Sequence, residues 1–202
     1  MDSKMMIAIL VIVFAADIIW HLYQNKKRDD ILKKLDGFLA RKDFASFDEL
    51  VDSKLSRWLF PAYNIAFLKL NEALYMEDMD RIEKAFESFG MPMNKIQKEA
   101  LYKKGFYYYL GLEDKEKTEY YLNQLKELDV KDMQTLDMMH DIYILKGYRY
   151  LDQINERINK LPLQEQMPFF ALLSDMYRNK GDTDKADEYE RMVSEYTEKL
   201  KG

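Results

Sequence analysis

Two kinds of hydrophobic pattern divide the chain. From Met5 to Ala16 twelve consecutive residues carry no charged or strongly polar group, and apolar character continues through Ile18, Ile19 and Trp20 to Tyr23. That stretch matches the ~20 residues a helix needs to cross ~30 Å of hydrocarbon. Ile, Val, Leu and Phe cover every face, so the polar stripe of a helix packed on a globular core is missing. Trp20 and Tyr23 close the run with rings that favour the headgroup layer, and Lys26, Lys27 and Arg28 follow as a positive cluster. Residues 1–28 are therefore expected to form a short tail, a single transmembrane helix (about 5–23) and a basic flank. The basic cluster puts the remainder on the cytoplasmic side of the cell membrane. A cleaved signal peptide is the competing reading, with Val13 and Ala15 as small residues before a cut; the apolar residues beyond Ala16 and the barely basic start argue against it. Asp17 interrupts the run. It either lies near the boundary and pairs with His21 one turn on, or meets a partner transmembrane helix.

Downstream of Asp29 the period changes to that of amphipathic helices. Ile31, Leu32, Leu35, Phe38 and Leu39 recur at three- and four-residue steps, which marks one buried face. After a break at Lys42-Asp43, the residues Phe44, Phe47, Leu50, Val51 and Leu55 predict a second, antiparallel helix that Pro61 ends. Further breaks fall at Glu77-Asp78, Gly90-Met91-Pro92, Leu112-Glu113-Asp114, Asp129 to Asp132, Lys146-Gly147, Leu161-Pro162 and Lys180-Gly181-Asp182. No alternating strand pattern survives between them. The pattern predicts an all-α chain of consecutive helical hairpins.

The hairpins repeat. Tyr75, Tyr109, Tyr143 and Tyr177 stand at a constant step of 34 residues, and seven positions before them come Leu68, Tyr102, Leu136 and Phe170. The last unit reads Phe170, Leu173, Ser174, Tyr177, Gly181 and Ala186. In these residues the chain resembles the tetratricopeptide repeat family, over about residues 62–200 and most closely in the last 40. The third unit keeps Leu136, Tyr143 and Gly147, the second Tyr102, Tyr109 and Thr118, and the first Leu68 and Tyr75. The resemblance implies a right-handed α-solenoid with repeats at about 62–92, 93–130, 131–163 and 164–202. Residues 29–61 would then be a degenerate opening hairpin or cap, which exposed terminal repeats need.

Composition removes several classes of function. No Cys is present, so disulfides, thiolate catalysis and Cys-based metal sites are absent. Residues 29–202 carry a net charge of −7, which argues against nucleic-acid binding and leaves Tyr107-Tyr108-Tyr109 and Tyr120-Tyr121 as packing rather than base-stacking residues. The chain has only two His. His21 belongs to the apolar segment, and His140, three residues before Tyr143, reads as a satisfied core residue. Carboxylate pairs such as Asp137 and Asp141 lack a partnering acid, base or metal ligand, so no catalytic residue, metal or cofactor is expected.

A solenoid of hairpins uses its concave face to bind. The resemblance implies that the first helix of each pair lines it. That points to Ala66, Lys69, Ala73 and Met76, then Ala100, Lys103, Tyr107 and Leu110, then Gln134, Asp137, Asp141 and Ile144, and finally Pro168, Ala171, Asp175, Arg178 and Asn179. Lys69 and Lys103 near one end and Asp137, Asp141 and Asp175 near the other suggest an extended peptide with basic residues at one end. The expected function is a non-catalytic, membrane-anchored scaffold for a protein or peptide partner, another membrane protein included. The alternative is an extracytoplasmic chaperone or secretion-associated adaptor of opposite topology.

Overall fold

The computed structural model describes the backbone of residues 3–199 and the side chains of residues 20–162 and 165–198. Among the described residues the chain is all-α, with eleven helices and no strand. It divides into two units, residues 1–94 and 95–202. The first holds α1 (Ser3–Ala40), α2 (Phe44–Asp52), α3 (Lys54–Leu59), α4 (Ala62–Met76) and α5 (Met79–Glu87). The second holds α6 (Lys95–Gly111), α7 (Lys115–Glu127), α8 (Met133–Tyr143), α9 (Leu151–Ile158), α10 (Leu163–Lys180) and α11 (Thr183–Lys199).

One turn design joins the helices into hairpins. At the end of α1, Lys42 takes the left-handed conformation (φ 56°). Its N–H bonds to the Leu39 carbonyl, and the N–H of Asp43 reaches back to the Phe38 carbonyl at 2.9 Å. This is a Schellman closure, which satisfies carbonyls that the helix end leaves open. Asp43 then starts the next helix, its Oδ1 accepting from the Ser46 N–H at 3.2 Å. The same sequence of bonds recurs at Glu113-Asp114 and at Gly181-Asp182, where the aspartates accept from Lys117 N and Lys185 N. Glu77-Asp78 shares the left-handed residue and the aspartate cap, on Arg81 N. With Lys146 included, the left-handed residues at hairpin junctions stand 35, 36, 33 and 35 positions apart.

That spacing explains where the tyrosines diverge. Tyr109 and Tyr177 lie four residues before their left-handed residue and are buried. Each stacks at 10° on a ring twelve residues on, Tyr121 at 5.6 Å and Tyr189 at 5.7 Å. Each also lies under a lysine eight residues on, Lys117 and Lys185. Tyr75 lies only two residues before Glu77 and is half exposed; the buried Ala73 falls a few residues before that turn. Phe38 holds the matching place before Lys42. The constant 34-residue step of tyrosines thus does not track one structural position, because the turns themselves drift by one or two residues.

Two other elements differ from the sequence pattern. The helix expected after Phe44 breaks at Ser53 (ψ 149°), whose Oγ accepts from Ser56 N at 3.1 Å and starts the short α3. In the third hairpin α8 ends at Tyr143, and residues 144–150 form a longer connection before α9. Three apolar clusters fill the interior. Ile31, Leu35, Phe47, Val51, Leu59 and Phe60 pack in the first unit. In the second, Phe106, Leu122, Leu125 and Leu136 form one cluster, and Ile142, Ile154, Phe170, Leu173 and Met176 another.

Among the described residues no helix is long and apolar enough to cross a membrane. The side chains of 5–19, Asp17 with them, lie outside the described residues. The backbone of α1 is helical without a break from Ser3 into the domain core.

Candidate functional site

In the first unit Lys69 sits on α4 with its Nζ 2.7 Å from Asp52 Oδ2, and Arg57 Nη2 meets the other carboxylate oxygen at 2.9 Å. The Lys69 hydrogen bond leads in holding the Asp52 carboxyl below its ordinary range. With Ala66, Phe60 and Ile65 they line a cleft of about 380 Å³. Two candidate groove residues, Ala66 and Lys69, therefore do come together, but the lysine already has a partner.

The second unit carries the other candidates. Lys103 on α6 lies 2.8 Å from both Glu99 and Asp132, and these carboxylates raise its pKa above the ordinary lysine value. Tyr107 is 44% exposed, its ring edge-on to Phe106 at 5.2 Å. Asp137 reaches Lys126 of α7 at 3.2 Å. Asp141 is buried, and its Oδ2 accepts from the Arg149 N–H at 3.2 Å. Gly147 packs directly on that carboxylate: a Cβ there would come within 2.6 Å of Oδ2. Asp175 accepts from the Tyr143 hydroxyl at 2.9 Å, and burial together with this bond pushes Tyr143 up to about 12. Asn179 donates to the Ile142 and Gly147 carbonyls at 2.9 and 3.0 Å. Arg178 turns towards α11, with Nη2 2.8 Å from Glu190.

These contacts change what the acidic positions do. Asp141, Asp175 and Asn179 tie α8, its long connection and α10 together. A seven-residue connection with a single Gly leaves several N–H groups and carbonyls that side chains must satisfy.

What stays open beside these contacts is a cleft of about 360 Å³ between α8, α9 and α10. Gln134, Thr135, Met138 and Met139 come from α8, Gln153, Ile154 and Arg157 from α9, and Pro168, Phe169 and Leu172 from α10. Arg157 lies over the Phe169 ring at 5.0 Å. Gln134 and Pro168 were expected at a groove; the α9 residues were not, because the family resemblance directs attention to first helices only. The lining suits an apolar side chain flanked by a backbone that can bond to the glutamine amides, and methionines adapt to irregular shapes.

His140 makes no hydrogen bond through its buried Nε2 among the described residues; Glu119 lies 3.7 Å away. Burial lowers its pKa below the ordinary value. Among the described residues no group of three His, Asp or Glu is placed to hold a metal ion. No protein-family model matches the chain, and neither a curated protein nor a solved structure does.

Proposed function

We propose that the chain is a single-pass, membrane-anchored scaffold that binds a peptide or protein segment without catalysing a reaction. The hairpins would stack as a tetratricopeptide-like right-handed solenoid, and the uncharged run from Met5 to Ala16 would anchor it, leaving the domain on the cytoplasmic side. The observation that carries the reading is the recurring turn, a left-handed residue at 33- to 36-residue intervals that a capping aspartate follows at four of the five places, Lys146 being the exception. Such quasi-repeats bury their flanks by leaning on their neighbours and leave extended surfaces for partners. The methionine-lined cleft of the second unit is where an apolar anchor residue of the partner would insert. Tethering in the membrane raises the effective concentration towards partners in the same bilayer.

The test is a photo-crosslinker placed at the exposed Gln153 of the full-length chain in cells, with the exposed Lys180 as control. A discrete adduct at position 153 that Met138→Glu abolishes is the expected result. Equal, diffuse labelling at both positions would remove the cleft as the docking site.

A further inference from the structure

The junction between the apolar run and the first unit carries a patch that the packing leaves uncovered. Trp20 and Tyr23 on α1 are stacked at 5.9 Å, and each is 49% exposed. α3 adds a third ring. Trp58 stands edge-on to Trp20 at 5.8 Å and is 54% exposed, with Leu55 one turn earlier also exposed. Apolar groups gathered like this on a surface mark a contact with something else.

Three observations select the contact. The first is continuity. α1 runs unbroken from Ser3, so Trp20 follows Ala16 by about one helical turn, roughly 6 Å along the axis. Once the uncharged run lies in hydrocarbon, Trp20 lies at the interface, and a ring 5.8 Å from it stays within 5.8 Å of that depth whatever the tilt. The second is charge. Lys26, Lys27 and Arg28 follow Trp20 and Tyr23 along α1, and Lys54 and Arg57 neighbour Leu55 and Trp58 along α3, against Asp29, Asp30 and Asp52. Lys27 lies over the Tyr23 ring at 5.6 Å. Rings interleaved with cations suit an anionic headgroup layer. The third is rigidity. Arg28 Nε donates to the Leu59 carbonyl at 2.8 Å, and Leu59 and Phe60 are core residues. Trp58 therefore cannot leave the layer without breaking the packing of α3.

We infer that α3 is a second membrane contact: Trp58 and Leu55 insert into the interface of an anionic bilayer and hold the first unit against it. This rests on the anchor reading above. It adds that the domain does not swing freely on its helix but is fixed at two points.

The chain's two tryptophans make the test direct. Full-length Trp20→Phe and Trp58→Phe variants each leave one indole. Both go into vesicles of phosphatidylcholine with a minority of phosphatidylserine, carrying spin-labelled lipid. Trp58 emission should shift to the blue, be quenched more by a label near the headgroup than by a deep one, and resist iodide. Leu55→Asp in the Trp20→Phe background should weaken that quenching about twofold or more with helicity unchanged. Lipid quenching of Trp20 with Trp58 open to iodide would overturn the second contact and leave the anchor standing. Quenching of neither would remove both. Trp58 shielded from iodide yet insensitive to the lipid label would mean that a protein or a second copy covers it, which also overturns the proposal.

Discussion

Glu72 is the residue whose environment departs furthest from its chemistry. It is 2% exposed on α4, and its Oε1 makes no hydrogen bond among the described residues. Arg81 of α5 approaches only to 3.6 Å, and Asp48 of α2 adds a like charge. Burial first, then Asp48, pushes the carboxyl from 4.5 up to about 7. The folded chain therefore keeps a proton between those values that the unfolded chain gives up. The stability held by the protonated form is complete below pH 4.5 and is lost as pH rises through about 7. Glu72→Gln should flatten this dependence and, above pH 8, stabilise the first unit by about 1–3 kcal/mol. Denaturation midpoints followed by tryptophan emission at pH 5 and pH 8 would check it, and an unchanged pH slope would refute it. A close approach governs Gly105, where a Cβ would meet the Tyr121 ring at 2.5 Å. Gly105→Ala should cost about 1–3 kcal/mol, read as a lower melting temperature. Neither residue stood out in the sequence: a Glu or Gly inside a helical pattern gives no sign of the side chain it faces across the hairpin. The same holds for Asp141 and Asp175, whose acidic character was legible and whose partners, Arg149 N and the Tyr143 hydroxyl, were not.

The helices follow from the three- and four-residue spacing of apolar positions, and their ends from Asp, Gly and Pro, because both signals are local. The break at Ser53 was missed because its capping bond competes with an apolar pattern that runs straight through it to Leu55. Turn drift was hidden for a related reason. An aromatic can sit two, three or four residues before a left-handed residue and still fall on an apolar face, so Tyr75 kept the period while leaving the core. Left-handed backbone favours glycine, yet among the described residues Lys42, Glu77, Glu113, Asp129 and Lys146 occupy it and Gly181 is the one glycine that does. Glu113→Gly should therefore stabilise the α6–α7 hairpin by about 0.5–1 kcal/mol, whereas Gly181→Ala should destabilise α10–α11 by a similar amount. Melting temperatures of the two variants should move in opposite directions. Movement in the same direction would mean that the turn conformation is not what sets hairpin stability.

At the scale of the whole molecule, residues 1–94 and 95–202 each enclose their own apolar clusters, and the stretch between Glu87 and Lys95 has no helix and includes Pro92, which donates no N–H. Units built this way unfold as separate cooperative steps when each core suffices for itself. The chromophores are divided in a way that exposes this. Both tryptophans, Trp20 and Trp58, belong to the first unit, whereas twelve of the 15 tyrosines belong to the second. Tryptophan emission thus reports the first unit alone, while far-ultraviolet circular dichroism sees the helices of both. In a denaturant titration of the detergent-solubilised full chain the two probes should give midpoints that do not coincide. Glu72→Gln at pH 8 should shift the emission midpoint and leave the later-sequence unit's share of the dichroism change in place. Glu113→Gly should do the reverse. Coincident transitions that every variant moves together would show one cooperative block, in which the recurring turns serve a single continuous core rather than two.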